Sequence, residues 1–316
     1  MIDGRTAFLP DQIYRFLGHP IRVRSNSENV LDHVRLVYGR FFVGPAADQA
    51  TGDDWAVEIS DRLDEADELL LKDPFWEYRL LRSDSHSQFT RLDVTQQEID
   101  LVGFCGVETL LQAALVGTIS RVADDHHLLH AGAVSRRGAA VLFPASPGQG
   151  KTTLVLTLVR LGWGFLSDEI GCLSADGGMV KPFPRSLIVR PEARELLGLP
   201  DDGTLRRGPF GAEGGERYAD AEALVPGCLS EACPLRFVIF LRGFGETPRL
   251  ERIANTNALF DLFSSATAPI DDIGRLLFEF APVMDRVHCY NLVMGTPADT
   301  AVALADLVDR TTSAAE

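Results

Sequence analysis

The stretch that most constrains this 316-residue chain is Ala145-Ser146-Pro147-Gly148-Gln149-Gly150-Lys151-Thr152, set between an apolar run and an amphipathic one. It departs by one residue from the pattern G-x-x-x-x-G-K-[S/T], with Ala145 at the first glycine. A loop of that pattern turns consecutive backbone N–H groups inward, which needs glycine where the chain takes positive φ. The helix that follows adds its unpaired N-terminal N–H groups and the positive end of its dipole, so the whole turn suits an anion. Ser146, Pro147, Gly148, Gln149, Gly150, Lys151, Thr152 and Thr153 are therefore the expected nucleotide-contacting residues. Lys151 would reach the β- and γ-phosphates, and the Thr152 hydroxyl would ligate Mg²⁺.

The flanks agree with this assignment. Residues 138–143 (Gly-Ala-Ala-Val-Leu-Phe) read as a buried strand, and Thr153–Leu161 as a helix stopped by Gly162. Strand, glycine-rich turn and helix are the order that such a loop requires.

Composition sets the outer bounds. The length suits two domains, or one large domain with an appendage. A net charge of −15 disfavours nonspecific binding to nucleic acid or to anionic membrane. The five cysteines include no Cys-x-x-Cys pair, which suits free thiols in a reducing cytoplasm and no zinc site. The stretch Thr109–Ser120 is too short to cross a bilayer and reads as a core helix. The first residues lack a signal-peptide pattern, and a cytoplasmic protein is expected.

Two regions are expected, 1–105 and 106–316. The first carries short strand-like runs and one amphipathic helix, Glu28–Phe42, with Ser27 as its N-cap, and reads as an α+β region for partner or substrate recognition. The second reads as α/β around a mixed, strand-rich sheet. Its strands fall at Leu128–Val134, 138–143, 165–169, 170–173, 179–189, 236–241 and 287–293. Its helices fall near 107–122, 153–161, 257–264, 272–284 and 298–308. His126 and His127 read as a solvated helix end. Leu199–Gly215, rich in Gly and Asp and carrying Arg206-Arg207, has the profile of a mobile loop.

Four residues outside the loop have the chemistry and the offset to act with it. Asp168 lies 17 residues past Lys151, after one helix and one strand, so its carboxylate can return to the mouth of the loop. There it can bind Mg²⁺ or accept a proton from an attacking hydroxyl. Glu169 follows it and shares the metal role if the strand ends at that point. His130 lies on the strand adjoining the loop strand. Arg185, after Pro182-Phe183-Pro184, can meet a phosphate or an acidic partner.

Taken together, His130-Ala131-Gly132-Ala133-Val134, the loop, Leu166-Ser167-Asp168-Glu169 and Pro182-Phe183-Pro184-Arg185 resemble the catalytic domain of HPr kinase/phosphorylase. More specifically, they resemble the bacterial HPr-kinase-related proteins of the A type, in which Ala commonly replaces the first loop Gly. The resemblance is specific over about residues 125–190. It implies a fold related to phosphoenolpyruvate carboxykinase and a kinase that phosphorylates a serine with ATP and Mg²⁺. It implies that His130 and Asp168 are the active-site pair and that Lys151 and Thr152 serve nucleotide and metal. The Glu- and Arg-containing signature that follows the second acid motif in HPr kinases is missing, which turns the expected acceptor from HPr toward a peptide or small protein. Two other functions fit the same motifs: a nucleotide-binding regulatory module without catalysis, and a kinase for a small-molecule hydroxyl such as a sugar. HPr kinases are hexamers, so a homo-oligomer is a further expectation of the resemblance.

Overall fold

The computed structural model describes residues 7–45, 55–62, 68–72, 76–83, 86–93, 98–99, 107–200, 202–210, 215–267 and 280–313. The chain divides into two compact units, Met1–Ala123 with Arg207–Tyr218, and Asp124–Arg206 with Ala219–Glu316. Both hold mixed α/β structure on mixed sheets.

In the first unit the elements run β1 (Gln12–Phe16), β2 (His19–Ser25), α1 (Glu28–Tyr38), β3 (Phe42–Pro45), β4 (Trp55–Arg62), β5 (Glu68–Lys72), β6 (Trp76–Ser83), β7 (His86–Asp93), β8 (Glu98–Ile99) and α2 (Val107–Val122). They form one sheet in the order β3-β1-β2-β4-β5-β6-β7-β8. All its pairings are antiparallel except β2 with β4, which is parallel and needs the crossover that contains α1. The β1–β2 hairpin closes on Leu17 and Gly18, at φ 51° and 97°. Two successive positive φ values make the turn whose twist matches that of the strands it joins. Alternation puts Ile21, Val23, Val57, Ile59, Leu69 and Leu71 in the core. Helix α1 buries Val30, Leu31, Val34, Val37 and Tyr38 at helical spacing, with the Tyr38 ring 5.5 Å from that of Phe16. It ends at Tyr38, where a single tight turn takes over. Ser27 holds the N-cap position, but its side chain makes no capping bond.

The second unit carries the long strand β9 (His126–Arg136), then β10 (Ala139–Pro144), α3 (Lys151–Arg160), β11 (Gly164–Ser167), β12 (Ile170–Ser174), β13 (Met179–Lys181), β14 (Leu187–Val189) and α4 (Pro191–Leu196). After the short β15 (Arg217–Ala219), whose first two residues count with the first unit, come α5 (Ala221–Leu224), β16 (Cys233–Phe244), β17 (Arg249–Arg252), α6 (Asn255–Phe263), β18 (His288–Met294) and α7 (Pro297–Ser313). Its sheet runs β10-β9-β12-β13-β16-β18-β17, with β11 also on β9 and a further pairing of β10 with β16. Strand β9 pairs β12 through residues 126–130 and β10 through 131–136. The β10–β16 and β16–β18 ladders are parallel, so the C-terminal ends of these three strands share one edge. One face packs on α3 and α7 through Leu154, Val155, Leu158, Val159, Leu304 and Val308. The other packs on α6 through Ala258, Leu259 and Leu262. Each such leucine or valine contributes about 1.5–3 kcal/mol when removed from water.

Some elements differ from their expected form. His126 and His127 open strand β9 instead of closing a helix. The run 179–189 is broken into β13 and β14, because Pro182 and Pro184 have no N–H to give a ladder. Of the helix expected at 272–284, residues 280–284 are helical and 271–279 lie outside the described residues, as do residue 201 and residues 211–214 of the Gly-rich segment. Among the described residues no helix is long and apolar enough to cross a membrane. Cys172, Cys228, Cys233 and Cys289 are free thiols, while Cys105 lies outside the described residues.

Candidate functional site

The strand β10 is buried along its whole length and delivers the chain to Ala145 at the shared edge. From there to Gly150 the backbone curls, with Gly148 and Gly150 both at φ 81°. Gly150 is the N-cap of α3, and the helix ladder starts with the Leu154 N–H donating to the Gly150 carbonyl at 2.9 Å. A Cβ at Gly150 would also stand tight against Phe244 Cζ and Met294 Cε, 3.2 and 3.3 Å away. Behind the loop, Gly132 on β9 lets α3 approach closely: a Cβ there would be 2.9 Å from Val155 Cγ2.

Lys151 is the first residue of α3 and is 5% exposed. Its Nζ donates to the Ala145 carbonyl at 2.8 Å and lies 2.7 Å from His130 Nε2. Nδ1 of the same imidazole is 2.9 Å from Glu169 Oε1. The network assigns one tautomer: Nδ1 carries the proton toward the carboxylate, and Nε2 accepts from the ammonium. Glu169 Oε2 lies 3.9 Å from the Arg185 guanidinium, which is itself buried. Loop carbonyl, Lys151, His130, Glu169 and Arg185 thus form one chain of polar contacts.

Asp168 sits beside that chain. The turn after β11 places it there, because Ser167 Oγ accepts the N–H of Ile170 at 3.1 Å and that of Glu169 at 3.4 Å. The strand ends at Ser167, so Asp168 and Glu169 both belong to the turn instead of alternating across a sheet. Asp168 is 1% exposed, and its Oδ2 accepts from the Thr152 hydroxyl at 3.3 Å. Its Oδ1 is buried and makes no hydrogen bond among the described residues. Burial raises its pKa to about 6, against the opposing pull of Arg185. Burial alone would also raise Glu169, but the hydrogen bond from His130 and the charge of Arg185 hold it well below the usual carboxylate range. Lys151 is lowered by burial, while Glu169 and Asp168 work to keep it charged.

A cleft of about 550 Å³ opens on the His130 side of the loop. His130, Pro144–Pro147 and Gln149 form one wall; Phe240–Arg242, Asp261 and Ser264–Ala266 form the other. Arg242 is paired with Asp261 and donates to Asn291 Oδ1 at 2.8 Å.

The structure therefore brings His130, Lys151, Thr152, Asp168, Glu169 and Arg185 to one place, with Ser146, Pro147 and Gln149 on the cleft. Thr153 sits one turn position farther along α3, half-buried, and accepts on its carbonyl from Thr157. Two neighbours of the loop carry no sequence signal of their own. Arg190 has a guanidinium nitrogen 3.9 Å from the position of a Gly148 Cβ and disfavours the charged form of Lys151. Phe244 lies against Gly150. Both arrive by tertiary packing, Arg190 from the N-cap of α4 and Phe244 from the end of β16. Among the described residues no three His, Cys, Asp or Glu side chains gather as a metal cluster.

No protein-family model and no curated protein matches the sequence. Among solved structures, the HPr(Ser) kinase/phosphatase from Coxiella burnetii is distantly similar, at 12% identity and a TM-score of 0.30, over 60% of this chain and 95% of its own.

Proposed function

We propose that the second unit is an ATP- and Mg²⁺-dependent phosphotransferase that moves the γ-phosphate to a hydroxyl of a peptide or small protein, with serine as the expected acceptor. The observation that carries this is Asp168: a carboxylate 1% exposed, with one oxygen on the Thr152 hydroxyl at the first turn of the helix that follows the loop and the other without a partner among the described residues. A buried unpaired carboxylate oxygen is costly, and it persists where it has a chemical task.

The donor set suits Mg²⁺, which takes oxygen ligands, keeps several waters and needs only one or two protein groups when a phosphate shares it. Thr152 and Oδ2 of Asp168 would hold the ion, which neutralises charge on the β- and γ-phosphates. The backbone curl from Ser146 to Gly150 cradles the phosphate tail of ATP, and Lys151 turns from the Ala145 carbonyl toward it. The acceptor enters through the cleft beside His130. Its oxygen attacks the γ-phosphorus, its proton passes to Oδ1 of Asp168, and the bond to the β–γ bridging oxygen breaks with the electron pair leaving on ADP. A carboxylate with a pKa near 6 is ionised at neutral pH yet basic enough to take that proton. Glu169, tied to His130 and Arg185, fixes the imidazole so that Nε2 keeps Lys151 in line.

The test is transfer of labelled phosphate from Mg·ATP to seryl peptides, with sugars and other metabolites as competing acceptors. Label on a peptide seryl oxygen is expected from the native protein. In Asp168→Asn the label should vanish while ATP remains bound. Undiminished transfer in that variant refutes the role of Asp168, and label on a metabolite alone refutes the acceptor.

A further inference from the structure

Phe244 is a large apolar side chain left 67% exposed, yet its place is tightly defined. It ends β16, opposite Met294 of β18, just after an irregularity in the ladder between Leu241 and Phe244. A break of this kind re-aims the side chain that follows it. The Gly245 N–H donates to the Met294 carbonyl at 2.7 Å, which ties the ends of the two strands together. Met294 is 4% exposed, and its Cε and the Phe244 Cζ lie 3.3 and 3.2 Å from the position of a Gly150 Cβ. The C-terminal ends of β10, β16 and β18 share one edge, where ligands of open α/β sheets collect. The loop thus has the buried ammonium of Lys151 on one side and an exposed aromatic ring beside Gly150 on the other.

We propose that Phe244 is the platform on which the base of the nucleotide stacks, so that the site takes a nucleoside triphosphate by both its ends. This rests on the phosphate-loop assignment above. Every nucleobase has a flat π-face, and stacking on an aromatic side chain requires no hydrogen-bond partner. The ring's edge rests at the Gly150 position beside Met294 while the rest of the side chain faces solvent, which leaves room for a base to cover it. The purine of ATP is the class of group that fits: planar, apolar on its faces, and joined to the phosphates that the loop holds.

Affinities of Mg·ATP and of inorganic tripolyphosphate, measured by calorimetry on the full chain, test it. Phe244→Ala should weaken Mg·ATP about tenfold or more and change tripolyphosphate less than twofold. Phe244→Trp should keep the affinity for Mg·ATP and gain a fluorescence quench on binding that tripolyphosphate does not produce. Equal losses for both ligands in Phe244→Ala would show that the ring only shapes the loop, and no loss for either would show that it is idle; both overturn the proposal and leave the loop assignment standing. A native protein that binds neither ligand overturns the loop assignment and this proposal with it.

Discussion

The two units use the same kinds of element to different ends. In the first, β4 to β8 follow one another in the sheet in the order of the chain, each paired with its neighbour in sequence. In the second, β9 serves β10, β11 and β12, and β16 serves β10, β13 and β18, so residues as far apart in the chain as Val141 and Phe237 share a ladder. The local sheet makes a regular, alternating core. The non-local one gathers the ends of several strands at one edge, and there buried ionisable groups stand close enough to shift one another. Placing a site at such an edge ties its chemistry to long-range packing, and so changes behind it are felt in it.

That contrast can be broken first at the chemistry. If the edge of the second unit carries phosphoryl transfer, Asp168→Asn should lower the transfer rate by about 10²- to 10⁴-fold, read from initial velocities with labelled ATP, with circular dichroism unchanged. A loss of the same size from a surface substitution in the first unit would show that the chemistry is not confined to the second.

Acidification is the next largest effect. Asp168 must be ionised to take a proton, and its pKa in the metal-free fold is about 6, so kcat/KM for Mg·ATP, which reports on the free protein, should fall about tenfold per unit below that value. A profile flat from pH 7 to pH 5 would remove Asp168 as the base. The linked stability effect has the opposite sense. The folded pKa lies above that of the unfolded chain, so the group's contribution favours folding at pH below about 4 and is lost as pH rises through 6. Native protein minus Asp168→Asn, compared by thermal melting at pH 5 and pH 8, should show the native chain losing ground at the higher pH.

Two glycines sharpen the comparison through packing. Gly132→Ala puts a methyl group 2.9 Å from Val155 Cγ2 and should cost about 1–3 kcal/mol, with nucleotide affinity falling as α3 is pushed outward. Gly18→Ala, at φ 97° with nothing within 4 Å of the new methyl, should cost about 1 kcal/mol from backbone strain alone and leave transfer untouched. Urea unfolding read together with activity separates the two. Equal effects on nucleotide affinity would erase the difference between the units.

Much of this architecture was legible because it is written in local signals. The glycines and lysine of 145–152, the apolar run before them and the period of the helix after them place loop and helix to within two residues. Val107–Val122 is the helix its pattern predicts. Asp168 was found by offset, since one helix and one strand return the chain to where it left. What escaped was whatever a neighbour in space decides. His126 and His127 look like a helix end until β12 pairs with them, and Arg190 and Phe244 have no motif to mark them. The Arg137-Gly138 turn that folds β9 back on β10 also has two successive positive φ values, 49° and 71°, but only the pairing of its flanks identifies it as a hairpin.

The sequence by itself determined the curl of the loop, the helix after it and the identity of the groups that can meet there, because glycine conformations, apolar periods and side-chain chemistry act over a few residues. Tertiary structure alone decided that His130 bridges Lys151 and Glu169, that Asp168 is buried with one oxygen unpaired among the described residues, and that Phe244 lies against Gly150. Those facts depend on desolvation and on contacts between strands far apart in the chain. Neither exists until the sheet has closed around them.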